Sequence, residues 1–216
     1  MRAFLLALTA LFALTGCQNT YLAAMEQAGI PKRQILQNRV EDARQAQIKA
    51  RFQFSRSLDN YRHALQAKDS STAEQYTALE QDYRDTEKAA RAVGPRIDTV
   101  EQVADALFDE WRDELDRYSD PGLKQASRDE MQATLAQYND LLGKMRTAQS
   151  HIDPALAALR DQLLFFKHHL NAQAINSMDN GYSSLQGNIE PLLTTMQRSI
   201  NDTDSFVRQL QRSAKP

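Results

Sequence analysis

The residues whose types and spacing come closest to chemistry lie in Lys167-His168-His169-Leu170-Asn171-Ala172-Gln173, directly after the apolar run Leu163 to Phe166. Imidazoles beside a lysine and two amides suit a metal site, a buried polar network or a docking surface. Joint chelation by the histidine pair fails on geometry. Consecutive residues on a helix point about 100° apart, so His168 and His169 cannot hold one ion as an i, i+4 pair would. His63 and His151 are isolated, and no Glu-x-x-His occurs, so the carboxylate di-metal bundle pattern is missing. The candidate interaction or polar-network residues are Lys167, His168, Asn171 and Gln173. The structural alternative places Leu163–Phe166 in a helix covered on several sides, with His168 bonded to Asp161 or to a neighbouring helix.

Other constellations read as surface or core. Asp105, Asp109 and Asp113 form an i, i+4 row, but Arg112 and Arg117 are interspersed and no Asp-x-Asp-x-Asp-Gly loop exists, so a solvated charged face is expected. Lys49 to Arg56 interleaves bases with Phe52 and Phe54; Phe54 belongs to a helical stripe, which makes this core with a basic rim. Gly143-Lys144 lacks the rest of a phosphate loop, and neither Gly-x-Ser-x-Gly nor a cysteine nucleophile is available. No catalytic, cofactor-binding or metal residue is therefore assigned, and the chain reads as a non-enzyme. Its formal net charge of −2, without a basic half, gives no footprint for nucleic acid.

Cys17 is the chain's only cysteine, and it follows the apolar run Ala3 to Leu14. A basic start (Arg2), an apolar stretch and small residues before a cut are the parts of a bacterial export signal. The run is shorter than the roughly 20 apolar residues that span a bilayer. Leu14-Thr15-Gly16-Cys17 resembles the lipobox of bacterial lipoproteins. That resemblance implies cleavage before Cys17, acylation of its thiol and new amino group, and attachment to the lipid bilayer through this residue. By the same resemblance, Gln18 rather than Asp after Cys17 implies the outer membrane of a Gram-negative envelope, facing the periplasm. The expected division is a signal peptide over 1–16, a lipidated tether over 17–30 and a single bundle domain over 31–216.

The elements that must position these residues are long helices. Pro31 suits a first helical turn. From there Leu36, Val40, Ala43, Ala50, Phe54, Leu58, Tyr61 and Leu65 step by threes and fours, with Gln47 as an imperfection in the seam. Asp69-Ser70-Ser71-Thr72 carries turn and N-cap chemistry. A second stripe runs through Tyr76, Leu79, Tyr83, Ala90, Val93, Ile97, Val100, Ala104, Leu107, Trp111 and Tyr118, with Thr86 and Glu114 as polar interruptions. It passes Gly94-Pro95 without a phase jump, so a kink is expected there. A third uses Leu123, Met131, Leu135, Tyr138, Leu142, Met145, Ile152, Leu156, Leu159, Leu163, Phe166 and Leu170, with a kink or short break at Asp153-Pro154. Asn176 to Gly181 reads as the next turn. The last stripe is Leu185, Ile189, Leu192, Met196, Ile200, Thr203, Val207 and Leu210. Short connections between four such segments predict an all-α fold, an elongated antiparallel, coiled-coil-like bundle of about four long helices.

The stretches Tyr21 to Arg33, Val103 to Trp111 and Lys167 to Ala174 resemble an uncharacterised, domain-of-unknown-function family of proteobacterial lipoproteins, over nearly the whole mature chain. His168-His169 stands where that family would carry His-Asn. The resemblance implies a helical envelope lipoprotein and transfers no activity. The expected role is a non-enzymatic scaffold or adaptor for an envelope protein or for a second copy of itself. The alternative is a ligand- or metal-binding envelope sensor using His168–Gln173.

Overall fold

The molecule begins its first long helix where the sequence placed it. A computed structural model describes residues 22, 24–25, 27–66, 72–168 and 175–213. The Pro31 carbonyl accepts from Gln34 N–H (2.9 Å) and Ile35 N–H (3.2 Å), opening α1 (Lys32–Gln66). Ahead of it, Gly29 takes φ +80° while Ile30 N–H donates to the Met25 carbonyl at 2.9 Å, the six-to-one bond that closes a helical turn over a left-handed glycine. Leu22 is buried in the core, and Met25 and Ile30 pack against it.

The chain then runs through α2 (Thr72–Arg91), α3 (Val93–Leu115), α4 (Pro121–Ser150), α5 (Ile152–His168) and α6 (Ile175–Ser213). Among the described residues all regular structure is helical. Asp120 caps α4: its Oδ1 accepts from the backbone N–H of Gly122 (2.7 Å) and Leu123 (2.9 Å), and Pro121 fills the first helical position, where no N–H is needed.

These six helices make four rods. α2 and α3 form one, interrupted only at Ala92, and α4 and α5 form another, interrupted only at His151. Each break falls three residues before a proline (Pro95, Pro154), where the absent N–H and the ring displace the preceding turn. α1 packs on α6 and on both α2 and α3; the α4–α5 rod packs on α6 and on the α2–α3 rod. Neighbours are antiparallel around a square, and the 35-residue α1 and 39-residue α6 are roughly 50–60 Å long at 1.5 Å per residue. The expected antiparallel bundle of long helices is the observed fold.

The stripes largely hold. All of the first one except Leu65 is buried, Gln47 included, as is all of the last except Val207. In the two middle stripes Tyr76, Tyr83, Leu135, Leu142 and Leu163 are only partly buried, and three positions near the base depart outright. Leu115 rather than Glu114 enters the core after Trp111, and α3 ends there, so Tyr118 is left 42 % exposed. Leu123, in the first turn of α4 beyond the core, is 60 % exposed.

The expected turn at Asn176–Gly181 is wrong, because these residues belong to α6. Asn, Asp and Gly there look like turn chemistry, but Gly181 serves packing. A Cβ at this position would collide with Oε1 of Gln162, the atom that accepts from the Tyr61 hydroxyl at 2.9 Å. The glycine lets α6 approach the Tyr61–Gln162 bond. Pro191 lies inside α6 on its exposed side, four residues after the exposed Gly187, whose carbonyl it deprives of a donor; water can serve that carbonyl.

Two glycine substitutions separate these roles. Gly181→Ala should gain less stability than Gly143→Ala, because Gln162 must swing its amide away from the Tyr61 hydroxyl to make room. Gly143→Ala, in a helix interior with nothing within 4 Å of its Cβ, should raise stability by roughly 0.5–1 kcal/mol. Urea denaturation followed by circular dichroism checks both, and the opposite order would contradict this packing.

Candidate functional site

Inside the upper half of the bundle a carboxylate is buried. Asp82 is 5 % exposed, and among the described residues it is the only buried charged side chain. Its Oδ1 accepts from Arg56 Nε (3.0 Å) and Nη2 (2.8 Å), and its Oδ2 accepts from the Ser57 hydroxyl at 2.5 Å. Ser57 Oγ also lies 2.7 Å from Thr86 Oγ1. A serine next to an aspartate suggests nucleophilic chemistry, but no imidazole stands between them to take the proton, and the guanidinium holds the carboxylate as its counter-ion. Their arrangement ties α1 to α2.

A second polar layer lies lower. Gln47 and Ser199 are fully buried, and the Ser199 hydroxyl donates to Gln47 Oε1 at 3.0 Å, joining α1 to α6. The buried Tyr61 hydroxyl, pushed up to about 12 by desolvation, donates to Gln162. Burial likewise raises the Tyr138 phenol.

The region singled out in the sequence is divided. Phe166 is in the core and Leu163 and Phe165 pack against it, whereas Leu164 is 49 % exposed. The expectation of one continuous covered segment therefore holds for part of it only; a helix against two neighbours cannot bury four consecutive side chains. Lys167 is exposed with its Nζ 5.8 Å from the Tyr76 ring centroid, and His168 is exposed in the last turn of α5. Asp161 makes its ion pair with Arg160 (3.9 Å) rather than with His168. His169, Asn171 and Gln173 lie outside the described residues, as does Cys17. Among the described residues no group of three His, Cys, Asp or Glu side chains is placed to hold a metal ion.

The acidic row is a charged face. Asp109 pairs with Arg112, while Arg146 bridges Asp98 (2.8 Å) and Glu101 on the preceding turns. Partial burial, then the Glu101 and Asp109 charges, hold the Asp105 carboxyl above its ordinary range.

A site that sequence reasoning missed opens at the base of the bundle, where α1 begins. A cleft of about 420 Å³ lies between the first turn of α1, the last turns of α3 and the first turns of α4. Trp111 forms its wall, 8 % exposed, stacked near-parallel on Phe108 and donating Nε1–H to Ser127 Oγ at 2.9 Å. The Arg33 guanidinium carbon lies 4.7 Å from the centroid of the Trp111 ring, and Arg33 Nη1 is 3.5 Å from Glu130 Oε1. Lys32 Nζ is 3.2 Å from Glu110 Oε2. Glu114 and Tyr118 complete the lining. In the sequence Trp111 is legible only as one position of the second stripe; its partner Arg33 comes from an element nearly eighty residues away.

Residues 21–210 match the family model described as a protein of unknown function (DUF2959). The match spans most of the chain, which belongs to that family. No curated protein matches the chain.

Two measurements follow from the interior. Asp82→Ala strips Arg56 and Ser57 of a shared acceptor and should cost about 2–4 kcal/mol in urea denaturation, less than a fully buried pair because Arg56 is partly exposed. Tyr61 holds its proton more tightly folded than unfolded, so its contribution is present below pH 10 and is lost as pH rises towards 12. Tyr61→Phe should flatten the loss of urea midpoint across that window; an identical pH dependence in the variant would exclude Tyr61 as a source.

Proposed function

We propose that this DUF2959 member is a lipid-anchored protein of the bacterial envelope that serves as a non-enzymatic helical scaffold or adaptor. The observation that carries the reading is the short distance between the candidate acylation site and the folded core. Cys17 follows an export-type leader, and Leu22, five residues later, is already buried. Five extended residues span at most about 18 Å. An acyl group on Cys17 would therefore hold the bundle against the bilayer, with the opposite end of the rods projecting away. No described helix is long and apolar enough to cross a membrane, so within this reading attachment falls to the lipid.

The buried polar groups support a structural use of the interior. Asp82, Ser57, Thr86, Gln47 and Ser199 bond across helix interfaces, fixing the rod. The placement is the outer membrane, facing the periplasm, with an envelope protein or a second copy as partner. The sensor alternative at His168–Gln173 has an exposed histidine and no metal-ligating group among the described residues.

Cys17→Ser tests the anchor. Several acyl chains at about 0.8 kcal/mol per buried CH₂ hold a protein on membranes nearly completely. The variant should therefore move from the membrane pellet to the soluble fraction with its helical circular dichroism unchanged. Undiminished pelleting would contradict the assignment.

A further inference from the structure

The basal cleft carries one more negative charge than its own residues neutralise. Lys32 is paired with Glu110 and Arg33 with Glu130, whereas the third carboxylate in the lining, Glu114, is exposed and makes no ion pair among the described residues. Beside it stand two aromatic rings, Trp111 and the half-exposed Tyr118. Arg33 already covers one face of the Trp111 ring, which is 8 % exposed, so an incoming cation meets the ring of Tyr118 and only the rim of Trp111.

We propose that this cleft binds an organic ammonium group, with Glu114 as its counter-ion and Trp111 and Tyr118 as its walls. The chemistry selects the class. An anion would meet three carboxylates against two cations that are already paired. A purely apolar ligand would strip water from Glu114 and return no hydrogen bond. A cation with CH₂ or CH₃ groups next to its nitrogen satisfies both the carboxylate and the rings. A volume of about 420 Å³ lies in the range of small-ligand sites. Free polyamines and the ethanolamine headgroup of a phospholipid both present this group. The proposal does not depend on acylation of Cys17.

Trp111 is the chain's only tryptophan, so fluorescence excited at the red edge, where tyrosine does not absorb, reports on this cleft. The full chain in a nonionic detergent is titrated with spermidine and with glycerophosphoethanolamine; sodium chloride and glycerol 3-phosphate serve as controls at matched ionic strength. A saturable emission change is expected with at least one ammonium probe and with neither control. Glu114→Gln should weaken that response by about tenfold, and Glu74→Gln, at the opposite end, should leave it unchanged. The tighter of the two probes assigns the source, free amine or lipid headgroup. No saturable change with either probe, an equal change with the controls, or an unaltered response in Glu114→Gln would overturn the proposal. If Glu114→Gln perturbs the fold, Tyr118→Ala, at a half-exposed position, must weaken the response instead, and an unaltered titration there also overturns it.

Discussion

A carboxylate buried between two helices tolerates only one alignment of them. Apolar seams with three- and four-residue steps are nearly degenerate: sliding one helix by a heptad still sets apolar residues against apolar residues. Asp82 removes that freedom. Away from Ser57 and Arg56 it would be an uncompensated buried charge, several kcal/mol less favourable. The Gln47–Ser199 bond acts in the same way between α1 and α6, at the smaller scale of a neutral hydrogen bond. With α1 registered against both neighbours, Lys32 meets Glu110 and Arg33 meets Trp111 at the base, so the cleft is a consequence of contacts made far above it.

The same registration aligns the prolines. Gly94 lies against Gln149, where a Cβ would come 2.8 Å from its Nε2, and Arg91 Nη1 is 2.7 Å from Asp153 Oδ1, so the breaks at Ala92 and His151 face each other. Along the other interface, Gly181 meets Gln162 and Lys144 meets Asp202. Interpolating between those contacts sets Pro191 opposite Asp153 and Pro154. Three of four rods thus lose a backbone hydrogen bond at about one level, while α1 runs through it unbroken and carries the buried Gln47.

Much of this was legible in the residues. Periodicity located the rods, and Pro31 and Asp120-Pro121 marked helix starts because each supplies what a first turn needs. Periodicity also erred where apolarity was taken as its sole currency. Leu79, Asp82 and Thr86 keep the three- and four-residue steps, and it is Asp82 that is buried while Tyr83, the apolar choice for the seam, is buried only partly. Asn176–Gly181 misled because a glycine needed for close approach has the same letter as one needed for a turn. The cleft was invisible, since no local pattern links Lys32 and Arg33 to Glu114 and Glu130. The resemblance to a family of unknown function is borne out over residues 21–210, which gives membership without an activity.

The central claim is that the bundle is held against a bilayer through Cys17, and the mass of the envelope-derived protein tests it most directly. Intact-mass and N-terminal peptide spectrometry should find a chain beginning at Cys17 and carrying acyl chains on its thiol and amino group. A chain retaining residues 1–16, or an unmodified Cys17, would contradict the account.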